Sequence, residues 1–148
     1  VRILLVKPSA DLATIGSVYG MVFLEPLELG YVAASVPAGH DVAVLDLRRV
    51  RRPESRFRRK LEADQPDIVG ISGYTHEIEQ VTRLARQVRQ SLPKAAVVVG
   101  GHHATVLPDQ YDMDCVDAIV SGEGTAPFRA IVEAAAAGRP FEGIPNVF

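Results

Sequence analysis

Two short apolar runs end abruptly in small residues, one helix apart, and they limit what this chain can become. The first is Ile68-Val69-Gly70-Ile71-Ser72-Gly73-Tyr74-Thr75; the second is Ala96-Val97-Val98-Val99-Gly100-Gly101-His102-His103. An unbroken Val/Ile run of this length reads as a strand covered on both faces, the habit of parallel sheets. Such sheets bind ligands just beyond the carboxyl ends of their strands. Ser72, Gly73, Gly100 and Gly101 stand at that edge. Adjacent glycines there let the backbone approach something flat or bulky.

Five apolar runs recur along the chain: Arg2–Val6, Asp41–Asp46, Ile68–Ser72, Ala96–Gly100 and Ala118–Ser121. Helical patterns separate most of them, and this alternation predicts a doubly wound α/β sheet. The clearest helix spans Ile78–Leu92, with Ile78, Val81, Leu84, Ala85, Val88 and Leu92 on one face. Glu77 and Glu79 near its start and Arg86 and Arg89 near its end suit the helix dipole. Thr75 is the expected N-cap. A last helix is expected over Ala126–Ala137, capped by Thr125 and ended by Gly138 and Pro140. A first helix begins at Pro26 and stops at Pro37. Another, near Glu54–Ala63, turns Phe57 and Leu61 inward. The segment Lys7–Glu25 is about three times as long as an ordinary strand-to-helix turn. The segment after Phe141 has Gly143, Pro145 and no periodicity, as a linker would.

Composition removes several classes of function. With 148 residues, 47% of them apolar, the chain forms one domain with a substantial core. A net charge of −2 argues against a general nucleic-acid binder. The single cysteine, Cys115, leaves no internal disulfide and no Cys-rich metal or iron–sulfur site. No apolar stretch reaches the length of a membrane span, and Val1–Val6 is too short for a signal peptide. A soluble, cytoplasmic protein is expected.

The candidate site residues gather at strand ends. Ser121-Gly122-Glu123-Gly124-Thr125 follows the fifth run and opens a helix, whose free N–H groups can hold a phosphate or amide oxygen; a plain glycine turn is the simpler account. Tyr74, His76, His102 and His103 fall on the same edge. His102 and His103 are neighbours, which extended backbone points in opposite directions, and no carboxylate or cysteine stands at ligand spacing, so no metal site is expected. The basic run from Arg48 to Lys60 reads as a solvated helix face. Ser72 has no nucleophile elbow around it, and acidic neighbours blunt Cys115. A P-loop and a G-x-G-x-x-G after the first strand are both missing.

These residues resemble a known family. Ser72-x-Tyr74, followed after residues 75–99 by Gly100-Gly101, is similar to the S-x-(hydrophobic)…G-G signature of cobalamin-binding domains. Pro26-Leu27-Glu28-Leu29-Gly30-Tyr31-Val32-Ala33-Ala34, Gly100-Gly101-His102-His103-Ala104-Thr105 and Ser121-Gly122-Glu123-Gly124 resemble one branch, the N-terminal cobalamin-binding domain of B12-dependent radical SAM proteins. The resemblance covers nearly the whole chain. Many cobalamin domains carry D-x-H-x-x-G after the first strand, whose His ligates cobalt. Here Asp11-Leu12-Ala13-Thr14-Ile15-Gly16 has alanine in the His position, and the first histidine is His40. The radical SAM branch commonly lacks that His, so the resemblance implies base-off cobalamin with no histidine ligand.

The resemblance also implies a flavodoxin-like, five-stranded parallel sheet of order 2-1-3-4-5, with the crevice between strands 1 and 3. Residues 1–140 would be the cobalamin-binding domain, and 141–148 the start of a linker to a radical SAM domain of the same parent chain. S-adenosylmethionine and an iron–sulfur cluster would belong to that domain. The implied cofactor contacts are Ser72, Gly73, Tyr74, Thr75, Gly100, Gly101, His102, Gly122, Glu123 and Gly124, with no catalytic residue. Filling Gly100 or Gly101 with a bulky side chain is expected to block the slot for the cofactor's nucleotide tail and spare the fold. The parent enzyme would be a methyltransferase or a porphyrin-ring cyclase. Two other readings are an FMN-binding flavodoxin-like domain and a ligand-free regulatory module. The first wants a phosphate-cradling loop after strand 1; the second wants acidic residues where Lys7-Pro8 stands.

Overall fold

The computed structural model describes residues 1–9, 25–111 and 114–148. The long segment Lys7–Glu25, with Asp11–Gly16 in it, lies mostly outside them. Five strands form one sheet: β1 (Arg2–Lys7), β2 (Asp41–Asp46), β3 (Ile68–Ser72), β4 (Ala96–Gly100) and β5 (Ala118–Ile119). Their order is β2-β1-β3-β4-β5 and every pairing between these strands is parallel. This is the expected flavodoxin-like winding, and it reverses direction between β1 and β3.

Period-two alternation sends the strand residues to two cores. Leu4, Val6, Val69, Ile71, Val97 and Val99 pack on one face. There they meet Phe57 and Leu61 of α2 (Pro53–Asp64) and Val81, Leu84, Ala85 and Val88 of α3 (Ile78–Ser91). Ile3, Leu5, Ile68, Val98, Ala118 and Val120 pack on the other. That face is covered by Leu29 of α1 (Leu27–Ser35) and by Phe128, Ile131 and Val132 of α5 (Thr125–Ala136). The basic run is only in part a helix face: Arg56, Arg58, Arg59 and Lys60 lie on α2, with Lys60 paired to Asp64 at 2.8 Å, while Arg48, Arg49, Arg51 and Arg52 precede the helix and Arg48 pairs with Asp46 at 2.6 Å.

Three local expectations change. Thr75 does not cap α3: it opens a 3₁₀ turn (Thr75–Glu77), closed by Glu77, whose carboxylate accepts the Tyr74 N–H at 2.8 Å. Thr125 is the first residue of α5, and the cap comes from Glu123, whose carboxylate accepts the Thr125 N–H at 2.9 Å and its hydroxyl at 2.8 Å. A carboxylate suits the positive end of the helix dipole better than a hydroxyl. Beyond β4 the chain turns into a short helix, α4 (His102–Val106), so neighbouring histidines diverge by helical rotation, not strand alternation. His103 is fully buried, whereas His102 is exposed. Gly138, in the left-handed region at φ +64°, ends α5 as expected.

Candidate functional site

The strand register explains where space opens. Leu5 pairs with Gly70, Gly70 with Val98, and Val98 with Ala118, a single row across the sheet beneath α1 and α5. In that row Gly70 has no side chain. One step toward the carboxyl edge, Ser72 pairs with Gly100. Gly70, Ser72 and Gly100 thus place three small residues on one face, and a channel opens where their neighbours carry branched side chains. A Cβ built on Gly70 would lie 2.8 Å from Leu5 Cδ2 and 3.2 Å from Phe128 Cε2, so even a methyl group would crowd the floor.

The resulting cavity measures about 550 Å³. Leu5, Gly70, Val98 and Phe128 form its floor; Leu29 and Val32 of α1 form one wall; Gly122, Glu123, Gly124 and Thr125 form the other. Glu28 and exposed Tyr31 stand on its lining from the first turns of α1. The two walls are tied together: Ser35 Oγ donates to Thr125 O at 3.1 Å, and a Cβ on Gly124 would already touch Val32 Cγ2 at 3.5 Å. No hydrogen bond among the described residues engages the Ser72 hydroxyl, which remains available to a ligand in the slot. The charged side chains of the lining are Glu28 and Glu123, both carboxylates. Hydrogen bonds from the Thr125 backbone and hydroxyl hold the Glu123 carboxyl below the usual carboxylate range. The Thr125 N–H is therefore spent on Glu123 and is not free for a phosphate.

Six of the expected contacts, Ser72, Gly100, Gly101, Gly122, Glu123 and Gly124, line this one cavity. Gly73, Tyr74, Thr75 and His102 do not; they lie beside it on the same edge of the sheet. The glycine pair divides its labour. Gly100 faces the cavity, and a Cβ there would make only ordinary contact with Val120 at 3.7 Å. Gly101 sits at φ +96°, and a Cβ there would lie 2.8 Å from Ser72 Oγ and 3.0 Å from Gly73 O. A side chain at Gly101 would strike the protein before it reached the slot, which corrects the expectation that either glycine can be filled without harm to the fold. The sequence reading missed Gly70, Glu28 and Tyr31 as lining residues. A lone glycine inside an apolar run was the available signal for the first.

Beside the cavity mouth lies a polar cluster. Lys7, buried at the end of β1, holds its Nζ 3.5 Å from both Glu28 Oε1 and Glu77 Oε2 and 4.3 Å from the Tyr74 ring centroid. Tyr74 stacks on His76 at 6.0 Å and tilts against His102 at 6.2 Å. Beneath, His103 Nδ1 lies 3.3 Å from Thr75 Oγ1 and its ring packs edge-on to buried Tyr111 at 5.2 Å. Burial, with the Glu77 charge in addition, pushes the Tyr111 hydroxyl up to about 12. Among the described residues no group of three or more His, Cys, Asp or Glu is placed to hold a metal ion, and no helix is long and apolar enough to cross a membrane.

The slot is thus lined mainly by carbon, with glycines along one wall and at its carboxyl edge. Residues 13–132 match the B12 binding domain family. The chain is 34% identical over 145 residues to an uncharacterized methyltransferase of Pyrococcus horikoshii, covering 97% of this chain and 31% of that protein. It is 35% identical over 136 residues to the hopanoid C-3 methylase of Methylococcus capsulatus, covering 87% and 26%. It is 31% identical over 118 residues to the anaerobic magnesium-protoporphyrin IX monomethyl ester cyclase of Rubrivivax gelatinosus, covering 77% and 21%. Its fold matches the cobalamin-dependent S-adenosylmethionine radical enzyme OxsB, solved with aqua-cobalamin and S-adenosylmethionine bound. That match has a TM-score of 0.79 at 14% identity and covers 99% of this chain and 20% of OxsB. The chain thus spans a third or less of the proteins it resembles. It belongs to the B12-binding domain family.

Proposed function

We propose that this domain holds cobalamin with its nucleotide tail in the slot over Gly70, as the cofactor module of a B12-dependent radical SAM enzyme. The apolar cavity of about 550 Å³ carries this reading: Gly70 lets Leu5 and Phe128 pack down onto the sheet as its floor, and Ser72 and Gly100 leave it open at the carboxyl edge. Ser72 donates a hydrogen bond to the tail base, Gly100 lets the tail lie against backbone, and the Gly122–Gly124 wall closes over its polar groups. Tyr74 and its histidine neighbours lie on the edge that the corrin ring covers. The bound cofactor supplies organometallic and radical chemistry, and the protein supplies position and electrostatics. S-adenosylmethionine and an iron–sulfur cluster belong to a radical SAM domain in the same parent chain, beyond residues 141–148. The module alone performs no turnover, and its setting is the cytoplasm. The relatives include methylases and a ring cyclase, and the parent reaction is of one of these two types.

The cofactor is held base-off and without a histidine ligand. His40, the first histidine in the chain, has its Nδ1 3.1 Å from the Val1 amino group, at the opposite edge of the sheet from the slot. The charged side chains of the slot, Glu28 and Glu123, disfavour the doubly charged phosphate of FMN more than the singly charged phosphodiester of a cobalamin tail. The test is a visible-absorbance titration of the chain with hydroxocobalamin and methylcobalamin, with FMN as control. A saturable shift to a base-off spectrum that persists in a His76→Ala/His102→Ala variant is the expected result. A base-on spectrum, or one that changes in that variant, overturns the histidine-free reading; saturable binding of FMN alone overturns the cofactor.

A further inference from the structure

The wall of the slot hangs from the weakest strand in the sheet. β5 has two residues, and its outer side is an open edge of the kind that needs cover. The segment 141–148 provides that cover. Ile119 and Phe148 exchange backbone hydrogen bonds at 2.8 and 3.0 Å, Val120 and Val147 form an antiparallel bridge, and the Ser121 N–H donates to Asn146 O at 3.0 Å. Ser121 is the residue just before the Gly122–Gly124 wall. Phe141, Ile144 and Val147 pack on the apolar cluster that contains Val98, Val120 and Phe128, which line the slot from its other side. Asn146 lies at φ +62°, a left-handed turn that asparagine tolerates and β-branched residues resist. Elsewhere the same wall is held by the Gly122 N–H, which donates to Thr105 Oγ1 at 2.9 Å, and by Ser35 Oγ, which donates to Thr125 O at 3.1 Å.

We propose that residues 141–148 are a positioning strap for the tail slot: they fix Ser121 and thereby set the wall formed by Gly122, Glu123 and Gly124. The ligand-binding half of this inference rests on the cobalamin reading above; the mechanical half does not. On this account any movement of residues 141–148 is transmitted to the slot wall through the pairing of Ile119–Ser121 with Asn146–Phe148.

The test uses the 148-residue chain, an Asn146→Val/Val147→Asp variant that undocks the strap, and Asn146→Gly, which keeps the left-handed turn. Amide hydrogen exchange is followed at Gly122 and Thr125, with Val69 and Gly70 of β3 as internal reference. Affinity is measured for cobalamin and for cobinamide, which lacks the nucleotide tail. In the undocked variant, exchange at Gly122 and Thr125 should rise about tenfold or more while β3 is unchanged. Its cobalamin affinity should fall about tenfold, with cobinamide within about twofold of wild type. Asn146→Gly should behave as wild type in every arm. Unchanged exchange at Gly122 and Thr125, or acceleration throughout β3, overturns the strap. Equal losses for both corrinoids overturn its link to the tail slot. If wild-type chain binds neither corrinoid, the cobalamin reading falls, and the exchange arm still decides the strap.

Discussion

The two sides of the sheet's carboxyl edge are built by opposite means. Under α1 and α5 the structure keeps side chains small: Gly70 lets Leu5 and Phe128 pack onto the sheet, Ser72 and Gly100 leave the next row open, and the space is lined mainly by carbon. Under α3 and α4 it crowds polar groups into a dry interior, with Lys7, Glu77 and His103 all buried. A cavity forgoes packing contacts, and a buried ion pair forgoes hydration. Neither is what stability alone would select. The cavity leaves room for a ligand; the charges fix the loop from Gly73 to Glu77 that borders it. Gly101 joins the two sides, its left-handed turn pressed against Ser72 on one hand and Gly73 on the other.

The sharpest break in this comparison is at Lys7. Replacing it with Met leaves Glu77 buried without its cation, and breaking such a pair costs about 3–5 kcal/mol. Denaturant unfolding should show that loss in Lys7→Met and recover most of it in Lys7→Met/Glu77→Gln, where the amide oxygen still accepts the Tyr74 N–H. If the single variant is as stable as wild type, the polar side is not structural in the sense argued here. The next contrast lies within the glycine pair. Gly101→Leu forces an L-residue into a left-handed turn, which alone costs about 1–2 kcal/mol, before any clash with Ser72 is counted. Gly100→Leu should lose less stability and yet weaken cobalamin about a hundredfold, because its side chain enters the slot. Equal stability losses in the two variants, with equal effects on binding, would erase the distinction between a turn glycine and a slot glycine.

Much of this could be read in the chain itself. The doubly wound sheet follows from apolar runs alternating with helical ones, its strand order is implied by the family resemblance, and Ser72 and Gly100 mark two strand ends that the register then pairs. Most of what the sequence concealed depends on partners distant in the chain, and the rest on local backbone geometry. Gly70 looks like a gap in one strand until Leu5 and Val98 flank it in the row. Lys7 and Glu77 are unremarkable apart and become a buried pair only when β1 and the turn after β3 lie side by side. Gly101 looked equivalent to Gly100 because composition does not reveal the sign of φ. His102 and His103 were expected to diverge by strand alternation, because a five-residue helix leaves too little pattern to recognise.

The smallest expected effect tests the polar side from within. The Tyr111 hydroxyl is buried without a hydrogen-bond partner among the described residues. Removing such a group without disturbing its ring is nearly neutral or mildly stabilising. Tyr111→Phe should therefore change stability near neutral pH by no more than about 1 kcal/mol. Its signature is at alkaline pH. The folded-state hydroxyl is pushed up to about 12 by burial and by Glu77, whereas an unfolded tyrosine ionises near about 10. Between those values the unfolded chain has released a proton that the folded chain still holds. Stability is then fully present below about pH 10 and falls as pH rises toward 12. Tyr111→Phe should lack that part of the alkaline loss, and the two proteins' stability curves should diverge above about pH 10 in favour of the variant. Parallel curves through that range would mean that Tyr111 reaches solvent more readily than its packing against His103 allows.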